Sequence, residues 1–265
     1  MKNIAIIGQI QQELQKSQVL NLVNKIKEEA GEDCHIFCNG SGMFSWAPQL
    51  EKQVEMLFDC GIDVLFLGEQ AISRTAGRNI IGKTDFCIIR PANLSNKAPG
   101  CGIKKVKFGD DEMWLISLVD GSGKVPAVPA AFEIEKFFEN KKDQLPVFIN
   151  INGTEFRYKE ALVWKICEYS NNAIVFGNGS GFRIDSEVIE SDDFLIKSIF
   201  IPDVGAVVTQ NSIGGVSPNL WWKKNVEKIP INMVPEFGIL KCDYCVIFFE
   251  NIKKIQKILH KTVKI

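Results

Sequence analysis

Over the first third of the chain, short and almost wholly apolar runs alternate with longer stretches of helical period. Ile4 to Ile7, Cys34 to Cys38, Val64 to Leu67 and Phe86 to Ile89 carry the pattern of strands covered on both faces. Between the first two lies Gln11 to Ala30. There Val19, Leu22, Val23 and Ile26 recur at i, i+3, i+4 and i+7, and Gly31 supplies a stop, which predicts an amphipathic helix. Leu50, Val54, Leu57 and Phe58 repeat the period before Gly61 ends it. Two βαβ units in succession predict a parallel sheet with right-handed crossovers.

After Pro91 the period changes. Val106 to Phe108 and Trp114 to Leu118 are separated by Gly109-Asp110-Asp111, turn chemistry that predicts a hairpin adding antiparallel strands to the same sheet. Phe132 to Glu139 and Tyr158 to Tyr169 read as helices; Val147 to Ile151 and Ala173 to Phe176 read as buried strands. From Ile199 onward short strands dominate: Phe200-Ile201, Ala206 to Thr209 and Cys245 to Phe249. The basic tail, Lys253 to Lys264, sets Ile255, Ile258 and Leu259 among lysines and is expected to form a last solvated strand or helix rather than a nucleic-acid or membrane patch. The fold class is α/β, a sandwich of mixed β-sheets flanked by helices. With no linker or composition break, one domain over residues 1–265 is expected.

Composition narrows the functional classes. Lys plus Arg number 31 against 32 for Asp plus Glu, so no global field draws nucleic acid or an anionic membrane. No apolar run approaches the ~20 residues that cross a bilayer. Met1 to Gly8 is a short apolar run ending in glycine, without the charged leader of a signal peptide, so a cytoplasmic protein is expected. Eight cysteines scattered through predicted strands and helices fit reduced, buried thiols. Cys242-Asp243-Tyr244-Cys245 is a lone C-x-x-C with no histidine at ligand spacing, for which buried thiols are the better account than zinc or redox work.

In open α/β sheets ligands bind beyond the carboxyl ends of the strands. The loops there are Gly8-Gln9-Ile10, Asn39-Gly40-Ser41-Gly42, Gly68-Glu69-Gln70, Asn150-Ile151-Asn152-Gly153-Thr154 and Gly177-Asn178-Gly179-Ser180-Gly181. They supply the candidate contacts Gln9, Asn39, Ser41, Glu69, Gln70, Asn150, Asn152, Asn178 and Ser180. Asn-Gly-Ser-Gly occurs twice, at Asn39 to Gly42 and Asn178 to Gly181. Its N–H groups could form an anion-binding nest, or its small residues could only fill space. Ser41 and Ser180 have no histidine in a matching loop to act as base, which argues against a serine hydrolase.

The order of these loops, with Arg90-Pro91-Ala92-Asn93, Pro99-Gly100-Cys101-Gly102, Ile201-Pro202-Asp203-Val204-Gly205 and Ser212-Ile213-Gly214-Gly215, resembles a bacterial metallophosphoesterase family. That family is related to the calcineurin-like phosphoesterases and includes 2′,3′-cyclic nucleotide phosphodiesterases. The resemblance spans almost the whole chain and implies a strand-end site for two metals. Its strand-end pattern is Gly-Asp-Ile, Gly-Glu-Asn, Gly-Asn-His, Asp-x-His-Ala-Glu and Gly-Thr-His-x-His. Laid on this chain, the ligand positions fall on Gln9, Ser41, Gly42, Glu69, Gln70, Asn152, Thr154, Gly179 and Gly181. Of these only Glu69 carries a carboxylate, and none is a histidine. Paired cations need anionic and imidazole donors to offset their charge.

The resemblance therefore implies a catalytically degenerate homologue, a pseudoenzyme with no cofactor and no catalytic residue. It would bind a protein partner, or a phosphate-bearing ligand that it does not cleave. The alternative is a residually active phosphodiesterase with one weakly held Mn²⁺ or Mg²⁺ on Glu69, Gln70, Asn150 and Asn152; a purely structural subunit is a third reading. A homo-oligomer is expected from the resemblance. Trp221-Trp222-Lys223-Lys224, read as a loop, is either an interface anchor or a pair of rings folded back on the sandwich edge.

Overall fold

The computed structural model describes residues 2–43, 49–82, 86–170, 172–190, 197–251 and 254–265. The first third forms β1 (Ile4–Ile10), α1 (Lys16–Ala30), β2 (His35–Asn39), α2 (Leu50–Asp59), β3 (Val64–Phe66), two short helices α3 (Gln70–Ser73) and α4 (Thr75–Ile81), and β4 (Ile88–Ile89). β1, β2, β3 and β4 run parallel in that order, as the two βαβ units predict. α1 begins five residues later than its period suggests. The Gln18 side chain accepts from the Gln15 backbone N–H at 2.9 Å and caps the start. Gln12 is instead drawn aside, its Oε1 accepting from the Thr209 N–H and hydroxyl at 3.0 and 2.8 Å.

The hairpin β5 (Ile103–Phe108) and β6 (Asp111–Val119) forms with a two-residue turn, Asp111 pairing with Phe108. It does not extend the first sheet. It opens a second one, in the order β5-β6-β7-β8-β10-β9, with β7 (Val147–Asn152), β8 (Ala173–Asn178), β9 (Glu187–Glu190) and β10 (Lys197–Ile201). Arg90-Pro91-Ala92-Asn93 makes the crossing. The Arg90 guanidinium donates to the carbonyls of Pro91, Pro99 and Ala98 at 2.7, 3.1 and 3.4 Å. Asn93 donates to the carbonyls of Val119 and Val128, both at 2.8 Å. Proline, lacking an N–H, suits the point where a ladder ends.

Helices α5 (Ala130–Asn140) and α6 (Phe156–Cys167) flank this second sheet. The chain then returns to the first with β11 (Ala206–Thr209), parallel to β1, and with the antiparallel pair β12 (Leu240–Asn251) and β13 (Lys254–Lys264). The basic tail is thus a strand. Trp221 and Trp222 lie in a helix, α7 (Pro218–Asn225), rather than a loop; Ser217-Pro218 puts proline at the first helical position, where its missing N–H costs nothing.

The sheets pack face to face between two helical layers. Ile4, Ile6, Phe37 and Phe66 from one meet Leu115, Phe148, Ile174 and Phe176 from the other. Phe37 stands edge-on to Phe148 at 5.5 Å, and Phe66 to Phe176 at 5.2 Å. The alternate residues Ala5 and Ile7 face Val19, Leu22, Val54 and Leu57 of α1 and α2, while Ile149 and Val175 face Ile134, Val163 and Ile166 of α5 and α6. Each buried large apolar side chain contributes ~1.5–3 kcal/mol. No helix among the described residues is long and apolar enough to cross a membrane.

Candidate functional site

The carboxyl ends of β1, β2 and β3 converge with those of β6, β7 and β8 on a cleft of about 240 Å³. Of the residues predicted from the strand-end rule, Gln9, Ser41, Glu69, Gln70 and Asn152 line it. Asn39, Asn150 and Asn178 lie behind, with no exposed surface. Ser180 is on the β8 loop and is not part of the lining.

The asparagines form one network. Asn39 Nδ2 donates to Asn152 Oδ1 at 2.7 Å and to Asn150 Oδ1 at 3.3 Å. Asn178 Nδ2 donates to Asn150 Oδ1 at 2.8 Å, and Asn150 Nδ2 to Ser117 Oγ at 3.0 Å. Ser117 Oγ and Asn152 Nδ2 both donate to the Leu67 carbonyl, at 3.0 and 3.1 Å. A carboxamide both donates and accepts, so four of them can satisfy one another under a cleft without burying charge. Asn178 Oδ1 is the exception: it is buried and has no hydrogen-bond partner among the described residues.

The two Asn-Gly-Ser-Gly loops differ. In the first, Asn39 Oδ1 accepts from the Ser41 N–H at 3.0 Å and from its hydroxyl. In the second the serine turns to Asp203, whose Oδ2 accepts from the Ser180 N–H and hydroxyl at 2.8 and 2.7 Å. In neither loop does the serine N–H point freely at a ligand. Asp203 is 1% exposed, and burial pushes its carboxyl up against the pull of these donors. Lys159 on α6 is 3% exposed and donates to the Asn178 carbonyl at 3.1 Å. Burial lowers its pKa from 10.5, opposed by the charges of Asp203 and Asp120.

Both carboxylates at the cleft hold its rim. Glu69 Oε1 and Oε2 accept from the backbone N–H groups of Lys124 and Val125 at 2.9 and 3.1 Å. Asp120 Oδ1 accepts from the Ser122 N–H at 2.8 Å, and Oδ2 from the Glu155 N–H at 2.7 Å. Glycine permits the backbone to close in. A Cβ on Gly42 would lie 2.3 Å from the Ile10 carbonyl oxygen, and one on Gly179, whose φ is +130°, would lie 2.4 Å from that of Gly153.

This donor set does not fit a pair of metal ions, which demands several carboxylates and imidazoles. No three His, Cys, Asp or Glu side chains gather at such a site among the described residues. His35 Nε2 is 3.1 Å from Asp111 Oδ2 and ties β2 to β6. His260, on β13, accepts at Nε2 from the Ser186 N–H. Cys242 and Cys245 are fully buried in different cores on opposite faces of β12, so they cannot share an ion.

Sequence reasoning missed Ser117, Asp120, Ser122 and Lys159. The first three belong to β6 and its loop, Asp120-Gly121-Ser122-Gly123. Reading β6 only as a hairpin arm hid that it also runs parallel to β7, which makes its end another ligand loop. Lys159 gave no signal beyond a lysine at a helical position.

A family model described as YmdB-like protein matches residues 5–260. No curated protein matches the chain. Among solved structures, the chain is similar to a hypothetical protein from Thermus thermophilus, at 16% identity and a TM-score of 0.80, with 99% of each chain covered. It is also similar to a protein described as a novel phosphatase from Mycoplasma pneumoniae, at 15% identity and a TM-score of 0.82, covering 99% of this chain and 93% of that one. At such identities these likenesses show a shared fold.

Proposed function

From the chain's membership of the YmdB-like protein family, we propose that it is a catalytically degenerate metallophosphoesterase homologue, one whose strand-end cleft binds without hydrolysing. The observation that carries this reading is the asparagine network. Asn39, Asn150, Asn152 and Asn178 engage one another where metal-bound water would have to be made, and neutral amides do not offset a dication's charge. The closed backbone at Gly42 and Gly179, two positions that the resemblance gives to metal ligands, supports it further. The single-ion alternative on Glu69, Gln70, Asn150 and Asn152 would need Asn150 Oδ1 to release two donors in a fully buried place.

Incubation of the protein with bis-p-nitrophenyl phosphate and 2′,3′-cyclic AMP in manganese buffer tests the proposal. Product should form at the rate of buffer alone. Turnover that disappears in Asn152→Ala would overturn it. A protein partner is also part of the reading: Trp222, Val234 and Phe237, at 54, 53 and 89% exposure, offer apolar anchors after β11. A cross-linked partner that Trp222→Ser fails to capture is the expected result; capture unchanged by that substitution would remove this surface from the account.

A further inference from the structure

We infer that the strand-end cleft is a site for an uncharged, hydroxyl-rich small molecule, a sugar or polyol, and that it turns phosphate away. The inference rests on the reading that this cleft binds rather than hydrolyses, and goes on to name the class of ligand.

Proteins hold phosphate with arginine and lysine side chains, with cupped backbone N–H groups and with helix N-termini. No lysine or arginine lines the cleft among the described residues. Four backbone donors at its rim are engaged by the chain's own anions. Glu69 spans the N–H groups of Lys124 and Val125. Asp120 takes those of Ser122 and of Glu155, the residue that opens α6. At these four N–H groups carboxylates already stand where phosphate oxygens would dock, and an incoming anion meets the like charge of Glu69 and Asp120.

The remaining polar groups suit hydroxyls. The amide of Gln9 and the hydroxyl of Thr154 line the cleft, and the Ser41 hydroxyl, which donates to Asn39, can still accept there. Each kind of group both donates and accepts, as a polyol's hydroxyls do, and a carboxamide can meet two neighbouring hydroxyls at once. A carboxylate has about four lone-pair sites, so Glu69, with its two backbone donors, keeps capacity to accept from O–H. The volume of about 240 Å³ equals about eight waters at ~30 Å³ each, room for a pentose or hexose. No aromatic ring lines it among the described residues, so none of these offers a nucleobase a face to stack on.

Saturation-transfer NMR and thermal melting of the whole chain test this with four probes at millimolar concentration: D-ribose, myo-inositol, inorganic phosphate and putrescine. Ribose or inositol should receive saturation and raise the melting temperature, while phosphate and putrescine do neither. Gln9→Leu and Thr154→Val should each weaken polyol binding about tenfold, the equivalent of ~1.4 kcal/mol of hydrogen bonding, with the unliganded fold intact by circular dichroism. Stabilisation by phosphate or by putrescine without a polyol response overturns the inference, and so does silence from all four probes. Silence would leave the loss of hydrolysis standing, because phosphodiester turnover is measured separately.

Discussion

Asn150 and Asn178 are both fully buried at neighbouring strand ends, yet truncating them should have very different costs. Asn150 accepts from Asn39 and Asn178 and donates to Ser117. In Asn150→Ala, Asn39 Nδ2 keeps Asn152 Oδ1 and Ser117 Oγ keeps the Leu67 carbonyl, but Asn178 Nδ2 loses its one partner. An orphaned buried donor costs ~1–3 kcal/mol and each of the two other lost hydrogen bonds ~1 kcal/mol, so a destabilisation of ~3–5 kcal/mol is expected. Asn178→Ala removes one donated bond together with an oxygen that already has no partner, and should cost no more than ~1 kcal/mol. At ~2–4 °C per kcal/mol for a chain of this size, melting followed by circular dichroism should fall by ~6–20 °C in the first variant and by ~4 °C or less in the second. Equal losses, or the reverse order, would refute the network as drawn. In the double variant most of the Asn150 cost should be unchanged, since the orphaned donor disappears but the Ser117 and Asn39 bonds do not return.

Lys159→Met probes the buried ammonium. Its folded pKa lies below 10.5, so the charge costs stability at neutral pH. As pH rises through that lowered value toward 10.5, the native state sheds its proton before the unfolded chain does, and wild-type stability rises relative to the variant. Urea unfolding at several pH values should find wild type gaining on the variant as pH rises on the alkaline side; a pH-independent difference would remove the charge from the explanation. Gly179→His should lower stability by more than ~1 kcal/mol, because its backbone has positive φ and its Cβ meets the Gly153 carbonyl. It should gain no manganese affinity by calorimetry, and a stable, metal-binding variant would contradict the closed geometry.

Much of the fold is legible in the residues. Ile4 to Ile7, Val147 to Ile151 and Ala173 to Phe176 lie in buried strands because unbroken apolar runs fit only a layer covered on both faces. The assignment of Trp114 to Leu118 to a second sheet was not legible, because strand period says nothing about which neighbour a strand takes. The partition rests on side-chain bonds of Arg90 and Asn93 to distant carbonyls. Likewise the tail's lysines and apolar residues suit strand or helix equally, and pairing with β12 decides it.

The strand-end rule found the cleft and five of its lining residues. It could not separate Asn152, at the surface of the network, from Asn150, beneath it, because alternating positions on one strand look equivalent until the opposite sheet is in place. Nor could it foresee that Glu69 would turn to the β6 loop, a contact 55 and 56 residues away in sequence. Asn178 was read as the twin of Asn39 because both begin the same tetrapeptide. Their partners differ because Asp203 stands beside one loop and not the other.

Isothermal calorimetry of Mn²⁺ into the metal-stripped wild-type chain, with elemental analysis after desalting, bears most directly on the proposed loss of catalysis. A cleft floored by amides, with its carboxylates engaged by backbone N–H groups, should give no saturable heat and retain no manganese. Two equivalents of tightly held manganese, released by Asn152→Ala, would contradict the account.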